Sequence, residues 1–170
     1  MITVVIPTHD HASVIAACLS SLVPAAVDGL VREVVLADAG STDETLVIAE
    51  DCGARVVKTD GDLGARLAAA CVDPRGDWLL ILLPDATLPE SWRSAAETQI
   101  KAGWDKAAWL PRPGRSWLER LTGRDAPQGL LVSGRHYAAV GGFAPGDKGL
   151  ARLLGRLGAK RLAYWPKGPA

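Results

Sequence analysis

Asp38-Ala39-Gly40-Ser41-Thr42-Asp43 places a carboxylate directly after the apolar run Val34-Val35-Leu36-Ala37 and directly before a stretch with helical spacing, Glu44 to Ala49. A carboxylate at the carboxyl end of a strand, facing a helix N-terminus, stands where open α/β sheets bind nucleotides. Its oxygens can accept a base N–H or a ribose hydroxyl. Taken alone, the segment fits a capped strand-to-helix turn equally well. In that reading Ser41 and Glu44 form a capping box, and the helix runs from Thr42 to near Gly53. The first strand ends in a similar way. Ile2-Thr3-Val4-Val5-Ile6 is apolar and β-branched, and Pro7-Thr8-His9-Asp10 turns into a helix, Ala12 to Leu22, that Pro24 should stop. His9 and His11 lie too close together in this turn to suggest a metal site without further ligands, and they read as exposed turn residues.

The elements that must position these turns alternate. Strands are expected at 2–6, 33–37, 55–58 and 78–83, with helices at 11–22, 42–52 and 63–72 between them. Such alternation favours parallel strands with helices on both faces. Pro89 opens a further helix that runs to about Lys101. Residues 103–128 contain Pro111, Pro113 and Gly114 with Trp104, Trp109 and Trp117 around them, and are expected to be irregular and partly mobile. Amphipathic Trp beside basic residues suits a membrane interface or a lipid-linked ligand, and core packing accounts for the same pattern equally well. A strand at 129–133, a short helix at 135–140, a helix carrying Leu150, Leu153, Leu154 and Leu157 up to Gly158, and a strand at 161–165 complete the reading.

Bulk properties set limits on function. A chain of 170 residues suits one domain, and 48% hydrophobic with 22% charged residues is ordinary for a globular protein. No apolar run reaches the ~20 residues of a membrane span, and strand-like residues begin too early for a secretory signal. A cytoplasmic protein is expected, with peripheral contact at the inner face of the membrane as an additional reading. Cys18, Cys52 and Cys71 lack metal-ligand spacing and read as three buried thiols. The net charge of zero divides unevenly: residues 1–100 hold 15 acids against 6 bases, residues 101–170 hold 4 against 13. That asymmetry suits an acidic ligand-handling half and a basic half facing anions, or two halves that attract each other. No nucleic-acid module, Walker A loop or nucleophile elbow is legible. The oligomeric state is not encoded in any visible pattern.

The segments "VVIPTHDHASVIAACLSSL" and "VREVVLADAGSTDETLVIAEDCGARVV" resemble the family 2 glycosyltransferases. The likeness continues through "GDLGARLAAA" and "RGDWLLILLPDATLPESW", and returns weakly at "GLLVSGRHYAAVGGF" and "GDKGLARLLGRLG", leaving out about residues 93–127. It implies a GT-A (Rossmann-like) three-layer α/β/α sandwich with a mostly parallel central sheet. One domain, 1–170, would comprise a nucleotide-sugar-binding half, 1–92, and an acceptor half, 93–170. The implied activity is inverting transfer from a nucleotide-diphosphate sugar to an unknown acceptor, glycan or lipid-linked.

The resemblance also assigns residues. Pro7, Thr8, Asp10 and Asp38 match the nucleotide-binding turns, with Asp10 where the family usually has Asn. Arg66 matches a basic position of the family, and near the donor pyrophosphate an Arg would form bidentate charge-assisted bonds; a surface Arg on a helix fits equally well. Asp85 falls at the second acidic position of the family's DxD metal motif, and Leu83 at the first. The Mg²⁺ or Mn²⁺ dependence implied by that motif is therefore expected to be weak or absent. Asp147, in Gly146-Asp147, matches the general base, and it also fits an N-cap of the following helix, from whose N-terminus it would project. Leu83, Ala69 and Gly146 depart from the family pattern. They motivate an alternative: a non-catalytic relative that binds a nucleotide sugar or a partner protein.

Overall fold

The computed structural model describes residues 1–111 and 127–161. Four parallel strands, β1 (Ile2–Thr8), β2 (Val31–Asp38), β3 (Arg55–Lys58) and β4 (Trp78–Leu82), alternate with α1 (Ala12–Val27), α2 (Thr45–Asp51) and α3 (Leu63–Ala70). Then follow α4 (Trp92–Ala102), β5 (Ala108–Pro111), β6 (Pro127–Ser133), α5 (Gly134–Ala139), α6 (Leu150–Leu157) and β7 (Lys160–Arg161). The sheet order is β3-β2-β1-β4-β6-β5-β7, with β6 antiparallel to both of its neighbours. The expected mostly parallel α/β/α sandwich is what forms.

Strand alternation builds the two faces. Ile2, Val4, Ile6, Leu36, Leu80 and Leu82 meet Ile15, Leu19 and Leu22 of α1 and Trp92 of α4. Val5, Val35, Leu79 and Ile81 meet Leu67 of α3 and Leu150, Leu153 and Leu157 of α6 on the other face. Because strands of such a sheet are covered on both sides, they read as continuous apolar runs. At the amino edge, Thr3 is buried. Its hydroxyl donates to Glu33 at 3.1 Å and accepts the Gly76 N–H at 2.9 Å.

Several local expectations need correction. Pro24 does not end α1, which continues one more turn to Val27 because Ala25 is fully buried and anchors that turn. The capping box does not form: α2 starts at Thr45, and Ser41 is bound to Asp38 instead. Residues 108–111, expected to be irregular, form β5 inside the sheet, where the buried Ala108 and Leu110 flank Trp109. Residues 112–126, with Trp117, and 162–165 of the expected last strand lie outside the described residues. Of the three thiols, Cys18 and Cys71 are buried, but Cys52 at the end of α2 is exposed. Burial pushes the Cys18 and Cys71 thiols up to about 12.

Gly64 lets the start of α3 lie against the segment before α6. A Cβ there would come 2.0 Å from the Ala144 carbonyl oxygen and 2.9 Å from the Asp147 Cβ. Gly64→Val should therefore lower stability by about 1–3 kcal/mol through overpacking, read as a reduced urea midpoint at unchanged slope.

Candidate functional site

The strand order reverses direction beside β1: β2 and β3 lie on one side, β4 on the other. The carboxyl ends of β1 and β4 thus flank the crevice in which open α/β sheets hold their ligands. Thr8 and Asp38 are cross-strand neighbours at this edge. Both are buried. One Asp38 carboxylate oxygen accepts the Thr8 hydroxyl at 2.9 Å and the Ser41 hydroxyl at 2.5 Å. The other accepts the backbone N–H groups of Gly40 at 2.9 Å and Ser41 at 2.8 Å. Burial is the largest single influence on this carboxyl and opposes its charge. The hydrogen bonds from Ser41, Thr8 and Gly40 together outweigh it and hold the pKa below the usual value.

A second tie closes the same edge. Asp10 has a left-handed backbone (φ 53°), a conformation that Asp tolerates. Its carboxylate accepts the N–H groups of Thr42 at 2.7 Å and Asp43 at 3.2 Å. In return Asp43 accepts the Ala12 N–H at 2.9 Å, and Thr45 accepts the His11 N–H at 2.8 Å. The turns after β1 and β2 are bolted to each other before any ligand arrives. Asp43 also accepts the Thr45 N–H, which does the work expected of Ser41 at the start of α2.

Arg66, on α3, reaches across to this edge. Its Nη1 donates to the Thr8 carbonyl at 3.3 Å, while its buried Nε has no partner among the described residues. Asp62 was not singled out by the sequence, although an Asp one residue ahead of a helix is a plain capping signal. It caps α3 through the Ala65 N–H at 2.9 Å and also accepts the Gly146 N–H at 2.6 Å. Pro7, in β1 just before Thr8, is buried.

Asp85 lies exposed in the turn after β4. Leu83, two residues earlier, donates its N–H to Gln128 on β6. Among the described residues no three His, Cys, Asp or Glu side chains gather as a metal site. What Asp85 offers is one accessible carboxylate oxygen donor set at the crevice rim, a chemistry that suits Mg²⁺ or Mn²⁺ only with further oxygens from a ligand and water.

Asp147 does not project from a helix N-terminus. The residue before α6 is Gly149, and Asp147 is turned inward with 4% exposure. It accepts the Ala144 N–H at 3.1 Å and pairs with Arg156 at 3.2 Å and Arg152 at 3.6 Å. Arg156 also donates to the Gly142 carbonyl at 2.5 Å, fastening the Gly141-Gly142-Phe143 turn to α6. Beside this cluster a cleft of about 620 Å³ opens between Leu63, Leu83, Pro127 and the segment from Gly146 to Arg152. Of the expected Trp-rich cover, Trp117 and its neighbours lie outside the described residues. Trp104, half exposed, lies under the Arg135 guanidinium at 5.1 Å, and its carbonyl accepts the Ser133 hydroxyl. Ser133 pairs with Trp78 at the start of β4, which puts Trp104 on the opposite edge of the sheet.

The family model described as Glycosyl transferase family 2 matches residues 3–140. The chain belongs to this family. Among curated relatives, glucosyl-3-phosphoglycerate synthase of Mycolicibacterium paratuberculosis is 35% identical over 97 residues, covering 52% of this chain and 29% of that protein. A PGL/p-HBAD biosynthesis glycosyltransferase of Mycobacterium tuberculosis is 39% identical over 98 residues, covering 54% and 38%. The aligned parts thus span well under half the length of these relatives. Glucosyl-3-phosphoglycerate synthase from Mycobacterium tuberculosis, solved with UDP, superposes at a TM-score of 0.71 and 24% identity, covering 95% of this chain and 68% of that one. The Staphylococcus aureus TarS fragment 1–349 superposes at 0.69 and 19% identity, covering 86% and 50%. These likenesses give the family 2 chain the GT-A fold.

Asp38→Ala should cost about 1–3 kcal/mol, because it leaves the buried Thr8 hydroxyl and the part-buried N–H groups of Gly40 and Ser41 without their acceptor. Asp38→Asn can keep the two N–H bonds and should be milder. With its folded pKa held below the unfolded value near 4, Asp38 contributes stability that is full above about pH 4 and fades as pH falls through the folded pKa. The Asn variant should flatten that acid limb in denaturation curves taken between about pH 2 and 6.

Proposed function

We propose that this chain transfers a sugar from a nucleotide-diphosphate sugar to an acceptor, with inversion at the anomeric carbon. The observation that carries this reading is the convergence of Thr8, Asp38 and Arg66 on the crevice between β1 and β4. The nucleoside lies over the Thr8–Asp38 turn, whose hydrogen-bonded shape Asp10 and Pro7 support. The pyrophosphate lies beside the Arg66 guanidinium, whose Nη1 already reaches the Thr8 carbonyl at that edge. Residues 1–92 thus hold the donor, and residues 93–170 supply most of the acceptor side. UDP is the nucleotide to test first, because the solved relatives include complexes with UDP and with UDP-GlcNAc.

In a single displacement the acceptor oxygen attacks the anomeric carbon, and the nucleoside diphosphate leaves with the bonding electrons. A hydroxyl acceptor also gives up a proton. Asp147 is the carboxylate that the family pattern assigns to that proton, and it reaches a hydroxyl only if Arg152, the more exposed of its two partners, swings aside. A divalent ion would be held by Asp85, donor phosphate oxygens and water, and would neutralise charge on the departing diphosphate. The solved mycobacterial synthase has been captured with Mn²⁺ and UDP. A cytoplasmic setting, where nucleotide sugars are made, belongs to the same proposal.

Calorimetry with UDP and GDP, each with and without Mn²⁺, tests the donor site. Arg66→Met, which keeps the apolar stem, should weaken UDP binding about tenfold, equivalent to ~1.4 kcal/mol. Wild-type affinity in that variant would move the pyrophosphate elsewhere. Leu83→Asp should raise Mn²⁺ affinity in the UDP complex by about tenfold through a second carboxylate. An unchanged metal titration in the folded variant counts against Asp85 as a ligand.

A further inference from the structure

The cleft beside Asp147 has an unusual combination of linings. Leu63, Leu83, Pro127 and Leu150 make it apolar, Lys148 and Arg152 bring two cations, and no carboxylate is among its described lining residues. Lys148 is exposed and pairs with no carboxylate among the described residues. Arg152 is 74% exposed and sits 3.6 Å from Asp147, longer than a hydrogen bond, so its guanidinium keeps donors for the cleft. The N-cap of α6 is Gly149, which has no side chain to claim the first backbone N–H groups. An apolar wall with cations at one end matches an amphiphile whose head is anionic.

We propose that this cleft takes the acceptor, and that the acceptor is a phosphate group carried on an apolar body. This rests on the transfer reading above and supplies its substrate class. It also fits the covered state of Asp147. A phosphate oxygen is already an anion at neutral pH and needs no base. Its lone pair forms the new bond to the anomeric carbon, and the bond from that carbon to the donor's diphosphate oxygen breaks. The electron pair and the negative charge pass to the nucleoside diphosphate, and no proton moves. Lys148 and Arg152 hold the phosphate, while Leu63, Leu83 and Leu150 take the chain next to it.

Calorimetric titration of the full chain with decyl phosphate, kept below its micelle concentration, tests this against two controls. Inorganic phosphate has the head alone, and decyl maltoside has the chain without the anion. Decyl phosphate should bind at least about tenfold tighter than either. Lys148→Glu reverses a cation, and Ala151→Trp fills the cleft from an exposed position on the first turn of α6. Each should weaken decyl phosphate at least about tenfold and leave the UDP titration unchanged. Equal binding of inorganic phosphate overturns the apolar body and points to a small water-soluble phosphate. Equal binding of decyl maltoside overturns the anion. Full affinity in both variants removes the cleft. Failure of UDP to bind would sink the donor site while leaving the decyl phosphate titration to be read on its own.

Discussion

A fully buried carboxylate is tolerated only when donors converge on it, and the carboxyl edge of the parallel strands is arranged around one. Asp38 accepts four hydrogen bonds, two from backbone N–H groups and two from hydroxyls. Those bonds do more than satisfy a charge. They fix Gly40 and Ser41 in a turn and join the ends of β1 and β2 through Thr8. Asp10 and Asp43 then exchange contacts across the two turns. The crevice is shaped by the chain itself, so a ligand entering it need spend little free energy on ordering loops.

The same interactions explain which parts of the fold were legible in the sequence. Alternating apolar runs and helical spacing gave β1 to β4 and α1 to α3, because each strand is buried on both faces and each helix on one. The turn beginning at Asp38 was legible as a candidate site for the same reason that it forms: a carboxylate, a glycine and hydroxyls stand at one strand end. The capping box at Ser41 and Glu44 was misleading because Asp38 competes for the Ser41 hydroxyl and wins through the shared turn. Pro24 signalled a stop, yet tertiary burial of Ala25 carried α1 past it. The strand β5 was hidden because Trp109 and Pro111 in a short stretch resemble loop punctuation, and only pairing with β6 makes it a strand. Asp147 was a candidate by family pattern, but its burial against Arg152 and Arg156 depends on how α6 folds back over it, which spacing alone does not reveal.

The antiparallel strand β6 is the pivot between the two halves. It inserts between β4 and β5, so the chain re-enters the sheet at the carboxyl edge, at Pro127, and leaves at the amino edge through Ser133. From there α5 and the Gly141-Gly142 turn carry the backbone to α6, which covers the face already occupied by α3. Asp62 and Gly64 make that return trip possible. One supplies an acceptor for the Gly146 N–H, the other the absence of a side chain. The crevice at Thr8 and the cationic cleft are therefore neighbours by topology, with α3 as their common wall: Arg66 reaches the edge of one and Leu63 lines the other.

The distribution of sulfur gives the molecule a built-in reporter. Cys18 is enclosed under the α1 face and Cys71 under the α3 face, and both hold their protons far above neutral pH; Cys52 alone meets solvent. An alkylating reagent at neutral pH therefore meets one thiol in the intact protein. A second modification marks the opening of a layer, and the cysteine that carries it tells which side of the sheet came apart first.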